Sequence, residues 1–469
     1  MNKLLLIFLI VVGSAYSVIA VAAHYQFRTF GWDLGYFDQI IWLLSRGFYP
    51  FSTLNKVNFL ANHFSPVLIF YALLYRIHSS PVTLLISQAF LVVFSSYPLF
   101  LLVWEKTGSR LLGMAVVISF LFFIGTQWSI LNEFHEATLT PLFLSLFFFS
   151  AGIKKRKLIF LFSIIGLLVT KEEFALLTAA LAFPLYFYYG LKKQAVILFL
   201  FSLFFFFFLT QFFMPAISEK GVYQHAHLSP EAPSPWELTL KILTDPVYIL
   251  KSFLSPPVKI QTLLISFSSF AYLPLFAPFS VLVPVIEQFL MRFLYTGPQF
   301  TVFTNVNHHA APIAVLLPVS VVFAVVRLMS RFPRKKRFIL LSSSLLILVA
   351  SVFQDIIQKA PFHSIVKPAL YQESEWQKNA GNALKQVPLN SSVAAQNSLF
   401  PHLSQRKEIY LLPETGNADF LAVDLSDGPN KFSPLNLQKT RVLIYELEEK
   451  NIYRVYFRKG DAIIYRKVN

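Results

Sequence analysis

From Leu4 to Ala23 the chain runs without a single charge, and apolar stretches of similar character recur as far as Phe353. About 20 such residues form a helix long enough to cross the roughly 30 Å hydrocarbon core of a bilayer. So many of them leave a polytopic, all-α membrane protein as the expected fold class. Further spans are predicted at Val82–Val103, Leu111–Ile130, Ala137–Ile153, Leu158–Thr170, Phe174–Tyr189, Ala195–Phe213, Gln261–Phe276, Pro278–Leu294, Ala311–Val326 and Phe338–Phe353. With the first, that makes about eleven transmembrane helices. A secretory signal peptide is the competing reading of Leu4–Ala23, because Ala20–Ala23 is small enough to be cleaved; the many later spans favour a retained helix. Phe64–Ile77 is apolar but short, and reads as interfacial or re-entrant.

Charge settles the topology expected. The chain carries a net +16, and only 14% of its residues are charged, against about 25% in soluble domains. The basic residues gather in short loops, Lys106–Arg110, Lys154–Lys157, Lys192–Lys193 and Arg327–Arg337. That is the pattern of cytoplasmic loops and anionic-lipid contact, not of nucleic-acid binding. The N-terminus is then cytoplasmic, in a cytoplasmic (inner) membrane. Residues 24–63, 131–136, 171–173, 214–260 and 295–309 fall on the opposite face. No Cys is present, so neither disulfides nor thiolate chemistry is available.

Composition shifts after residue 354. Short apolar runs (SSVAAQ, KEIYLL, ADFLAVDL, TRVLIYEL and RVYFRKGDAIIYRK) alternate with turn signals and read as strands. Two units are expected: a membrane domain over 1–354, and a small soluble α/β domain over 355–469 on the extracytoplasmic side.

Every suspicious polar cluster lands on the outer face. The first loop, Gly31–Pro66, holds Asp33, Asp38, Arg46, Lys56 and His63 among aromatic residues, and ionisable groups beside a bilayer mark a functional site by default. Asp33 reads either as a carboxylate favoured by a helix N-terminus or as a plain N-cap. Asp38 lies about 140° further round that helix, free to pair with Arg46 or to meet a cation. Asn132–Glu136 (NEFHE) sets Glu133 and Glu136 at i,i+3, which on a helix share one face. Lys171, Glu172 and Glu173 interrupt an apolar stretch where charge is costly unless paired or wetted. Lys171 suits a phosphate as a point charge, and Arg292 either snorkels or holds phosphate in bidentate fashion. His308 and His309 precede a span on the same face, and His225 with His227 forms a weak H-x-H signal in the long loop. No nucleotide-binding or nucleophile-elbow motif occurs. An outer-face catalyst has no access to cytoplasmic nucleotide sugars, so its substrate must be lipid-borne or already exported.

The order DLGYFDQ at 33–39, NHFSP at 62–66, NEFHE at 132–136 and KEE at 171–173 resembles an uncharacterised family of prokaryotic membrane proteins (domain of unknown function 2079). That family is in turn similar to the GT-C class of integral-membrane glycosyltransferases. The resemblance implies a polyprenyl-phosphate-linked sugar donor, an extracytoplasmic glycan, lipid or protein acceptor, and Asp33 as catalytic base. It makes Phe64–Ile77 the interfacial helix, and it assigns the donor phosphate to Lys171 or Arg292. Glu133, His135 and Glu136 would form the second acidic loop. Together with Asp38, His63, Glu172, His308 and His309 they supply a substrate or cation site, a divalent Mg or Mn ion being the cofactor in question. The NEFHE loop departs from the plain acidic pattern by its histidine, which leaves metal dependence open. A transporter or flippase, and a non-catalytic scaffold or sensor, are the alternative readings. Charges at loop edges and the lack of an internal repeat argue against the transporter.

Overall fold

A computed structural model describes residues 2–224, 235–295, 299–426 and 434–468. His225 and His227 lie outside the described residues. Helices occupy each predicted apolar run, from Asn2–Tyr25 through Pro81–Phe94, Phe174–Phe187 and Ala311–Arg331 to Lys336–Ile357. Among the described residues, five helices are long and apolar enough to cross a membrane alone, and a sixth if Arg110–Phe122 and Ile124–Leu131, bent by 51°, count as one. Leu68–Ile77, at ten residues, is a short apolar helix as expected.

Several helices are inside-out by the standard of a soluble protein. Lys336–Ile357 buries Ser343, Ser344 and Ser351 while leaving Phe338, Leu345, Val349 and Phe353 more than half exposed. Water would penalise that arrangement by about 25 cal/mol for each Å² of exposed apolar surface; lipid does not. The buried hydroxyls serve as interhelical contacts, Ser351 donating to the Ser269 carbonyl at 3.0 Å, as membrane helix packing favours. Ala311–Arg331 instead runs through the centre, buried from Ala311 to Val325.

The first loop folds back on this bundle. A π-helical turn, Gly31–Gly35, leads into the helix Tyr36–Ser45, and a two-stranded hairpin pairs β1 (Phe51–Ser52) with β2 (Val57–Asn58). The C-terminal region is a small five-stranded sheet with two helices. Its strands are β3 (Val393–Ala395), β4 (Ile409–Leu411), β5 (Phe420–Asp424), β6 (Tyr453–Lys459) and β7 (Ala462–Lys467), in the order β4-β3-β5-β7-β6. β3 runs parallel to β4 and β5, whereas β7 is antiparallel to β5 and β6.

One strand expectation is corrected. TRVLIYEL lies within the helix Leu437–Glu449. Asn436 caps it by accepting from Lys439 N at 2.8 Å, and only Thr440 and Ile444 are buried, a spacing of four that fits one helical face.

Candidate active site

Residues of the loops predicted to lie outside converge, although they come from four stretches of chain. Asp33 sits in the π-helical turn with its side chain 35% exposed, and its Oδ1 meets His135 Nε2 at 3.0 Å. The other ring nitrogen, Nδ1, faces Glu136 Oε2 at 3.5 Å. Glu136 is fully buried, and its second oxygen lies 3.9 Å from Lys171 Nζ, which is also 3.4 Å from Glu173. His308 stacks on His135 with ring centroids 3.3 Å apart, and His309 follows at 4.1 Å from His308.

Charge within this cluster is balanced by neighbours rather than by water. Burial alone would strip the proton from His135, but the charge and hydrogen bond of Asp33, with Glu136, hold its pKa up to about 9. Burial pushes Glu136 up; the His135 ring 3.5 Å away and the charges of Lys171, His135 and His63 outweigh it and bring the group down to about 2. At neutral pH His135 is therefore an imidazolium, Glu136 a carboxylate and Lys171 an ammonium.

Glu133 and Glu136 do not share a helix face. Glu133 has φ +61°, a left-handed conformation that breaks the chain between the helix Ile124–Leu131 and the 3₁₀ turn Glu136–Leu139. The two carboxylates consequently part. Glu133 Oε2 accepts from Phe30 N at 2.9 Å and Leu34 N at 3.0 Å, capping the turn that bears Asp33. Gln88 braces the loop from behind: its Nε2 donates to the Glu133 carbonyl at 2.5 Å, and its Oε1 accepts from His135 N at 2.9 Å.

Asp38 is placed apart from this cluster. It is fully buried and, among the described residues, pairs neither with Arg46 nor with the Asp33–Lys171 cluster. Its oxygens accept from Tyr75 Oη and Ser404 Oγ at 2.6 Å each and from Gln405 Nε2 at 3.0 Å, so it fastens the first loop to the C-terminal domain. Glu172 accepts from Phe64 N at 2.9 Å and Tyr223 Oη at 3.2 Å, with His63 at 3.5 Å, and so ties the NHFSP segment to KEE.

Arg292 is 5% exposed and does not snorkel. Its Nε donates to the Val302 carbonyl at 3.1 Å and its Nη2 to the Thr304 carbonyl at 2.6 Å. Its Nη1 has no hydrogen-bond partner among the described residues. The guanidinium borders a small recess of about 60 Å³, lined also by Glu173, Gln288, Tyr295 and His309. Two strings of contacts join Asp33 to this recess, one through His135, His308 and His309, the other through His135, Glu136, Lys171 and Glu173.

Among the described residues, no three or more His, Asp or Glu side chains form a cation-binding group. The donor set explains this: Glu136 is engaged by His135 and Lys171, Glu133 by backbone N–H groups, and Asp38 by hydroxyls. Sequence reasoning named Glu173 within KEE but gave it no role of its own, although it lines the recess. That reasoning missed Gln88, whose only signal was an amide within an apolar span.

A model of the family described as "Predicted membrane protein (DUF2079)" matches residues 23–446. The chain belongs to this family. No curated protein matches it in sequence. In structure it is similar to ArnT from Cupriavidus metallidurans, solved with undecaprenyl phosphate bound, at a TM-score of 0.54 and 9% identity over 99% of this chain and 98% of that one. At that identity the likeness is one of fold. It bears out the resemblance of this DUF2079 protein to the GT-C class at that level.

Proposed function

We propose that this protein is a membrane glycosyltransferase, moving a sugar from a polyprenyl-phosphate-linked donor to an acceptor at the outer leaflet, with Asp33 as general base. The observation that carries the reading is the continuity of the site. A partly exposed carboxylate is joined, through the buried side chains of His135, Glu136 and Lys171 and then Glu173, to a recess edged by Arg292, whose Nη1 has no partner among the described residues. The ArnT-like fold, from a relative that holds undecaprenyl phosphate, supports a lipid-phosphate partner.

In the step envisaged, Asp33 accepts the proton of an acceptor hydroxyl as its oxygen bonds to the anomeric carbon. The bond from that carbon to the phosphate oxygen breaks, and its electron pair leaves with the polyprenyl phosphate. Arg292 and Lys171 balance the charge that develops on the departing phosphate. The same reading takes the bundle to span the membrane about eleven times. It puts the N-terminus in the cytoplasm and the C-terminal domain of residues 355–469 outside.

Native mass spectrometry of the wild-type protein beside Asp33→Asn tests the reading. A polyprenyl-phosphate sugar bound to both, with transfer to added acceptor lost only in the variant, is the expected result. Full transfer by Asp33→Asn would overturn the mechanism. Bulk phospholipid alone, identical in both proteins, would turn the reading toward a transporter or sensor.

A further inference from the structure

The turn that carries Asp33 is held from a region more than 360 residues away. Gly31 N donates to Asn397 Oδ1 at 2.8 Å and to the Asn397 carbonyl at 3.1 Å. Beside it the Phe400 ring lies flush against the backbone of Gly31 and Gly35: a Cβ would meet ring carbons at 2.9 Å on Gly31 and 2.5 Å on Gly35. Gly35 has ordinary right-handed helical angles, φ −65° and ψ −38°, so backbone freedom is not the reason for glycine there. The reason is room for the ring. Asn397 and Phe400 belong to the segment that leaves the C-terminal end of β3, where a parallel sheet ordinarily receives a ligand. Here that edge is filled by the protein's own first loop. Asp38 and Gln39 extend the grip, Asp38 to Ser404 and Gln405, Gln39 Nε2 to the Lys407 carbonyl at 3.2 Å.

We infer that the C-terminal domain is a structural part of the catalytic centre, and that Asn397 and Phe400 are positioning residues that set where the Asp33 carboxylate stands. Its sheet edge is spent on this task and is not a separate acceptor-binding site. The inference rests on the reading of Asp33 as the base, yet its geometry can be tested without any transfer assay. His135 touches Asp33 directly, and among the described residues Glu136, Glu133, His308 and His309 are the other ionisable groups that interact with it. Its titration therefore reports whether Asp33 is in place.

The experiment uses full-length protein labelled at histidine Cε1 and followed by NMR against pH, with His135 assigned by His135→Gln. In Asn397→Ala and Phe400→Ala, His135 is expected to titrate at lower pH than in wild type, back toward the ordinary histidine value of about 6.5. Asn397→Asp, which keeps the acceptor for Gly31 N, should restore the wild-type profile. Gly35→Ala guards against variants that fail to fold. The substitution suits helix and harms only through the ring, so it should lower the titration alone and lose much of that effect when combined with Phe400→Ala. Where transfer is measurable, kcat should fall about 100-fold with KM for donor little changed. An unaltered His135 titration in all of these folded variants overturns the inference. Altered titration in a protein that never transfers sugar would leave the inference standing and sink the transferase instead.

Discussion

His135 is held between Asp33 and Glu136, and both carboxylates favour its charged form. Because its pKa is raised from 6.5 to about 9 on folding, the folded protein binds this proton more tightly than the unfolded chain. The stabilisation is fully present below pH 6.5 and is lost as pH rises through about 9. Thermal unfolding should therefore show wild type above His135→Gln by a few °C at pH 6, the gap closing by pH 10. A gap independent of pH would mean that the ring acts only by packing on His308. Lys171 is a different kind of neighbour. It is buried, and the charges of Glu173, Glu136 and Glu172 overcome its burial and raise its pKa. Lys171→Met should leave Glu136 without its ammonium and weaken retention of any anionic lipid, measured as the fraction of protein carrying it in native mass spectra.

Elements explain what single residues do not. The amphipathic turn after Asp33 was legible in the sequence as a helix, and so was the short helix before the second span. So was the gathering of NEFHE and KEE on one face, since each is a break in an apolar run. What was not legible is how these elements are gripped. Asp38 read as a possible ion partner because its true partners, Ser404 and Gln405, are remote in sequence and uncharged. Glu133 read as the twin of Glu136 because i,i+3 spacing presumes a helix, and a left-handed residue cancels that presumption. TRVLIYEL has the β-branched content of a strand, but its burial follows a helical face. The buried acceptors of Asp38 give this element its own prediction. Asp38→Ala leaves Tyr75 and Gln405 without their acceptor, and Ser404 with the Pro401 carbonyl alone, and should cost about 3 kcal/mol of stability. Chemical unfolding of the detergent-solubilised protein checks it, and a loss near zero would mean that water replaces the carboxylate.

At the scale of the whole molecule, the burial of serine and the exposure of phenylalanine on the same helices identify lipid as the surrounding solvent. Which end faces which compartment is a matter for labelling, and a chain without cysteine suits it. Leu389→Cys, at a side chain 81% exposed in the C-terminal domain, should react with an impermeant maleimide added to intact cells. Lys155→Cys, in a basic loop, should react only after lysis. The reverse pattern would put the acidic site on the cytoplasmic side and remove the case for an exported or lipid-borne donor. The hydrogen bond between Gly31 and Asn397 joins residues 366 apart in the chain. During synthesis, then, the turn bearing Asp33 is made among the first residues but acquires its last support only after β3 has emerged and reached the same side. Completion of the chain thus acts as a timer on the site, and a truncated product stranded in the bilayer carries the carboxylate without its final brace.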